Sequence, residues 1–141
     1  MPAPLLTAMP LLALHHVGIV VADLDAALDR YRALGFGEGE RFALTEQGVV
    51  AVTFHAGDGY VELIQPTDLD SPIAKFLAKR GDGMHHVAYG VPDLIATLRR
   101  LDEAGARLID AVPRRGAHDW RIAFVHPESC AGVLTELVEL P

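Results

Sequence analysis

Strand-like and helix-like patterns alternate along this chain, and the alternation occurs twice. His16–Val21 and His86–Val91 are short β-branched runs that predict strands. Asp23 and Asp93 follow, where a helix N-cap belongs. Leu24, Ala27, Leu28, Tyr31 and Leu34 then recur at helical spacing, as do Leu94, Thr97, Leu98, Leu101 and Ala104. Gly35 and Gly105 supply left-handed stops. Each half therefore opens strand–helix. Val49–Ala56 and Tyr60–Gln65, joined by Gly57-Asp58-Gly59, predict a hairpin. Arg121–His126 and Val133–Glu139 predict the matching pair, with a longer loop through Pro127. Between the halves, Ser71-Pro72 predicts a helix start with proline in its first turn. Ile73, Phe76 and Leu77 form its apolar face, and Gly81 ends it.

The halves are copies. Leu14–Gly35 reads LHHVGIVVADLDAALDRYRALG and Met84–Gly105 reads MHHVAYGVPDLIATLRRLDEAG, without gaps, at an offset of 70 residues. Two copies indicate a duplicated module, since a solenoid needs at least about three repeats. The expected organisation is a loose leader over 1–13 and one domain over 14–141. Module one spans 14–66, a linker helix 70–81, and module two 84–141.

Composition narrows the class. The chain has 141 residues, half of them apolar and 22% charged, which suits one compact domain and excludes a wholly disordered chain. The net charge of −7 argues against duplex nucleic acid, and any anionic ligand needs a local basic patch. The single cysteine, Cys130, offers neither an internal disulfide nor a thiolate metal site and fits a reducing compartment. No apolar run reaches the ~18–20 residues of a membrane span. The apolar start has no positive n-region and is cut by Pro2, Pro4 and Pro10, so it reads as a leader and not a signal peptide. The expected compartment is the cytoplasm.

Each copy carries one His on its first strand and one Glu on its last: His16, Glu62, His86 and Glu136. Both glutamates lie inside apolar runs, where a carboxylate is costly unless paired, coordinated or turned to water. If the modules pack about a pseudo-twofold axis, two imidazoles and two carboxylates converge. That set suits a divalent ion of the Mn, Fe, Co, Ni or Zn type. Gly18 beside His16 and Ala88 beside His86 are small enough to leave a cavity. His15 and His85, by alternation, face the other way as packing or hydrogen-bonding residues. His118 and His126 read as loop and strand-end histidines.

These residues resemble the vicinal oxygen chelate superfamily, and within it the epimerases acting on methylmalonyl-CoA. The resemblance runs from Leu14 to Pro141. It is carried by His15-His16-Val17-Gly18, Val61-Glu62-Leu63-Ile64-Gln65-Pro66, Asp70-Ser71-Pro72-Ile73-Ala74-Lys75-Phe76-Leu77, Gly83-Met84-His85-His86-Val87, Gly116-Ala117-His118, Phe124-Val125-His126-Pro127 and Gly132-Val133-Leu134-Thr135-Glu136-Leu137. It implies an α+β fold of two tandem βαβββ modules, with a curved mixed sheet around a metal-centred cleft. It implies His16, Glu62, His86 and Glu136 as ligands of a Co2+-, Mn2+- or Mg2+-type ion, a homodimer and an acyl-CoA substrate. The implied reaction is a 1,1-proton transfer through a metal-stabilised enolate.

Such a reaction usually needs two acid–base groups. Glu136 is the first candidate. Some relatives carry a glutamate where this chain has Ala51, so the second must come from elsewhere. His55 shares a strand face with Ala51, and Glu46 and His118 are further options. The coenzyme phosphates require cations, for which Arg114, Arg115 and Lys75 are candidates, with Lys79 and Arg80 beside Lys75. Competing readings are a glyoxalase-I-like isomerase of glutathione adducts and a metal-free binding protein. A ring-cleaving dioxygenase normally uses two His and one carboxylate, and Glu136 is a fourth donor.

Overall fold

The chain runs β1 (Ala13–Val20), α1 (Leu24–Leu34), β2 (Glu40–Leu44), β3 (Val49–Ala56) and β4 (Gly59–Pro66). Helix α2 (Pro72–Arg80) leads to the second copy: β5 (Gly83–Val91), α3 (Leu94–Glu103), β6 (Arg114–Arg115), β7 (Arg121–Val125) and β8 (Thr135–Glu139). The computed structural model describes residues 12–141. Residues 1–11 of the expected leader lie outside the described residues, and Ala13 already begins β1.

All strands join one curled mixed sheet in the order β2-β3-β4-β1-β5-β8-β7-β6. Strand β1 pairs parallel with β4, β5 pairs parallel with β8, and β1 meets β5 antiparallel at the centre. In that central ladder His16 faces Ala88 and Gly18 faces His86. His16 thus faces the second module's copy of Gly18, and Gly18 faces the copy of His16, which is the register of a pseudo-twofold axis. The α+β fold of two βαβββ modules is therefore present.

Local chemistry sets the helix ends. Asp23 and Asp93 accept hydrogen bonds from the amides of Ala26 and Ala96 at 3.1 and 3.0 Å. Such caps contribute about 1 kcal/mol each. Ser71 caps α2 in the same way through the Ala74 amide, with Pro72 in the first turn. Gly35 closes α1 at φ 110°. Helix α3 stops at Glu103, slightly short of the expected end, with Gly105 left-handed just beyond.

Two edge strands, β2 and β6, escaped the apolar pattern. Strand β2 is largely exposed and β6 has two residues, both arginines, so neither alternates cleanly. Strand β7 ends at Val125, before His126 turns to cap Pro127–Ser129. Strand β8 begins only at Thr135, after left-handed Ala131 and Gly132.

The apolar faces decide where the cleft lies. Leu24 and Leu28 of α1 pack on Val52, Phe54 and Leu63, while Leu94 and Leu98 of α3 pack on Ala123, Val125 and Leu137. Burying each Leu is worth roughly 1.5–3 kcal/mol. Both helices therefore cover one sheet face and leave the other to the cleft. There α2 sets Ile73, Phe76 and Leu77 against Val20, Val49, Ala51 and Ile64.

Candidate metal centre

Two rows of paired residues cross the middle of the sheet. One runs Thr53, Glu62, Gly18, His86; the other runs His16, Ala88, Glu136, Phe124. In each row a carboxylate and an imidazole from different modules flank a small residue. His16, Glu62, His86 and Glu136 are all buried, between 2% and 6% exposed.

The side chains converge. His16 Nε2 and His86 Nε2 are 3.1 Å apart. Glu136 reaches His16 Nε2 at 3.1 Å and His86 Nε2 at 3.6 Å with its two oxygens. Glu62 Oε1 lies 3.7 Å from both imidazoles. Ligand atoms of His16, His86 and Glu136 all fall within 4.8 Å of one another.

Burial and charge split the four groups. Burial pushes the Glu62 carboxyl up to about 7, with the charge of His16 opposing and that of Glu136 adding. Burial pushes His86 down to about 3. For His16, burial is outweighed by the hydrogen bond and charge of Glu136, which hold it above the usual imidazole value. Burial would raise Glu136, but His86 and His16 hold it below the usual carboxylate range. Without a cation, burial therefore favours the protonated Glu62 carboxyl, and Glu136 favours the protonated His16 imidazole.

The donor set fits a divalent ion. Two nitrogens about 2.1 Å from one ion, at right angles, would sit about 3 Å apart, close to the observed Nε2 separation. Nitrogen and carboxylate donors suit first-row divalent ions, and no thiolate is involved. Gly18 leaves no void of its own, because a Cβ there would overlap the His86 ring. The small residue admits the ligand.

His15 and His85 depart from simple alternation. The β1–β5 ladder has an extra residue at each of these positions. Such bulges re-aim side chains. His15 and His16 share an Nδ1–Nδ1 hydrogen bond of 2.8 Å, and His85 and His86 one of 2.9 Å. Burial pushes both outer histidines down to about 4, so they are neutral at physiological pH.

The site opens into a cleft of about 430 Å3 whose walls include Glu46, Ala51, Ile64, Arg114 and Trp120. His55, expected to face Ala51's space, sits at the exposed end of β3 with its ring on Tyr60 and is not on this wall. His118 bonds Thr53 Oγ1 through Nε2 at 2.7 Å and stacks on Trp120; His126 caps the Pro127 turn. Trp120, unforeseen from the residues, stacks on His16 at 5.5 Å and 19°. It comes from a loop with no hydrophobic period, so no sequence pattern marks it. Left-handed His118 and Asp119 bend that loop inward, at φ 56° and 62°.

The candidate phosphate cations separate into two groups. Arg114 pairs with Asp110 and lies over Phe124, and Arg115 pairs with Asp119. Lys75, Lys79 and Arg80 border a second groove of about 570 Å3, which shares Pro72, His85, His86 and Leu134 with the lining of the first. Among the described residues, the arginine–carboxylate pairs use Arg32, Arg41, Arg107, Arg114, Arg115 and Arg121 and leave these three without a carboxylate partner.

The sequence profile of the Glyoxalase/Bleomycin resistance protein/Dioxygenase superfamily matches residues 15–124, and the chain belongs to that superfamily. Within it, the chain is 39% identical to the ethylmalonyl-CoA/methylmalonyl-CoA epimerase of Cereibacter sphaeroides, covering 90% of this chain and 97% of that one. The crystal structure of methylmalonyl-CoA epimerase from Mycobacterium tuberculosis superposes with a TM-score of 0.86 at 42% identity, over 92% of this chain and 88% of that one. A methylmalonyl-CoA epimerase in complex with methylmalonyl-CoA and NH4+ superposes at 0.88 and 40% identity, over 92% and 95%.

Proposed function

We propose that this chain is a methylmalonyl-CoA epimerase, which interconverts the (R) and (S) forms by moving a proton off and onto C2. The convergence of His16, Glu62, His86 and Glu136 on one point of the cleft carries the reading. Similarity at about 40% identity to epimerases of this substrate supports it. Those four side chains would hold a divalent ion of the Co2+, Mn2+ or Mg2+ type. Such an ion supplies positive charge where negative charge develops on the thioester oxygen as C2 loses its proton.

The chain's own residues handle the proton. Glu136, held below the usual carboxylate range by His86 and His16, is the group that accepts the proton from C2, as a ligand that lets go of the ion to do so. The opposite hydrogen must come from a second group. At position 51 only a methyl is offered, and His55 stands outside the cleft. Glu46, on the turn before β3, lines the cleft from module one and takes this role. Trp120 and Ile64 supply an apolar wall that excludes water from the carbanion.

The coenzyme arm leaves by the groove shared through His85 and His86, so its phosphates meet Lys75, Lys79 and Arg80. Arg114 and Arg115 are secondary, because each already pairs with an aspartate. The enzyme works as a homodimer, a reading supported by Leu14 and Met84, equivalent in the two modules and each 62% exposed. The single thiol, Cys130, supports the cytoplasm as its compartment. No described helix is long and apolar enough to cross a membrane.

The deciding experiment is solvent deuterium incorporation at C2 of methylmalonyl-CoA, with and without added divalent metal. Metal-dependent wash-in is the expected result, and no exchange at any metal loading would sink the reading.

A further inference from the structure

We propose that His15 and His85 are positioning residues: each accepts a hydrogen bond from the Nδ1–H of the histidine that follows it, and so keeps that histidine's Nε2 lone pair aimed at the cation. The inference rests on the metal-centred reading above and adds a pair of residues to it.

The geometry carries it. In both modules the central ladder holds one extra residue, at His15 and at His85. Regular pleating would send each of these rings to the opposite sheet face from its neighbour. The bulge instead brings Nδ1 of His15 to 2.8 Å from Nδ1 of His16, and Nδ1 of His85 to 2.9 Å from Nδ1 of His86. A neutral imidazole has one N–H. When Nε2 gives its lone pair to a cation, the hydrogen must lie on Nδ1, and it needs an acceptor in this buried site. The outer imidazole is that acceptor, and its own hydrogen is then on Nε2. The more usual acceptors at this place are backbone carbonyls and carboxylates.

The outer rings are themselves held. His15 lies edge-on to Trp120 at 4.5 Å and tilted on Tyr60 at 5.6 Å. His85 lies edge-on to Phe76 of α2 at 4.9 Å. Aromatic neighbours from other elements therefore fix each acceptor. This gives the cleft loop and α2 a route to the ligand geometry without touching the ion. A residue that merely filled space would not need an acceptor nitrogen in both copies at the same distance.

The test uses zinc as a diamagnetic probe and 15N-labelled imidazoles in the full chain. Zinc-loaded wild type should show two slowly exchanging Nδ1–H signals, each with 15N–15N coupling across to a second ring. His15→Phe should remove the His16 signal and His85→Phe the His86 signal, and each should weaken zinc binding by about 10–100-fold in chelator competition. His15→Asn places a side-chain oxygen near the lost nitrogen. It should keep the His16 N–H signal and most of the affinity while losing the coupling. Zinc-loaded wild type without cross-ring coupling overturns the proposal before any variant is made. Phe variants that retain both signals and wild-type affinity overturn it too, and leave the metal centre standing. Wild type that binds no zinc overturns the metal-centred reading and this inference together.

Discussion

Gly18 and His86 face each other across the β1–β5 ladder, and the imidazole of His86 fills the space that a Cβ on residue 18 would need. Glu62 lies on the other side of Gly18 in the same row. The missing side chain is what allows an imidazole from one module to lean toward a carboxylate from the other. His86 cannot easily retreat, because it is 2% exposed and packs edge-on against Phe124.

Gly18→Ala should therefore displace the His86 ring. Overpacking of this kind costs about 1–3 kcal/mol. We expect a lower Tm in chelator and a loss of metal affinity by calorimetry. A variant with wild-type affinity would show that the ring has room to move.

Metal affinity should fall as pH drops below 7. The cation must displace protons from Glu62, raised by burial to about 7, and from His16, raised by Glu136 against the opposing effect of burial. Calorimetry in buffers of different ionisation enthalpy should show proton release near pH 6 that shrinks toward pH 8. Pulling one member of the set away, as in His86→Ala, should abolish tight binding at both pH values.

Glu62→Gln should stabilise the metal-free protein at pH 8 and have little effect near pH 4. The Glu62 pKa is raised on folding from 4.5 to about 7, so its favourable contribution is complete below 4.5 and is lost as pH rises through 7. Above that the fold carries a buried carboxylate that the variant removes, a gain on the order of 1–3 kcal/mol. His86 does not respond to Glu62 and cancels in the difference, whereas His16 loses the support of the Glu62 charge in the variant, which offsets part of the gain. Thermal melts in chelator across this range measure the sign.

Glu46→Gln should separate the two proton transfers, and Glu136→Gln should impair both. Loss of one acid–base group typically costs about 10²–10⁴-fold in rate. Glu46→Gln should lose epimerisation while retaining deuterium wash-in from the diastereomer that Glu136 serves, whereas Glu136→Gln, which also removes a metal-holding carboxylate, should lose wash-in from both diastereomers. His55→Ala should leave both rates unchanged, since its ring lies on Tyr60 outside the cleft.

Lys75→Glu combined with Lys79→Glu should raise KM for the CoA thioester and leave kcat near wild type. The same double variant should not affect a truncated pantetheine thioester, which lacks the nucleotide phosphates. Equal KM effects on both thioesters would move the phosphate site elsewhere, with Arg114 and Arg115 the next to test.

Much of this architecture was legible in the sequence because its determinants are local and occur twice. Caps at Asp23 and Asp93, left-handed Gly35 and Gly105, and the His and Glu positions of each copy all depend on short-range pattern. The duplication itself implied a twofold convergence of His16, Glu62, His86 and Glu136, and the ladder register realises it. Other features were not legible. Edge strands β2 and β6 bury too little to impose a period, and the bulges at His15 and His85 exist only where β1 pairs with β5. Trp120 reaches His16 from a distant loop, and the engagement of Arg114 and Arg115 by Asp110 and Asp119 depends on which side chains meet in space. Sequence alone determined the two-module organisation and the duplicated His and Glu positions, since periodicity and duplication are properties of one chain. Which of them touch, and through which neighbours, was decided by the tertiary structure, because cross-strand register and packing bring together residues that no local pattern links.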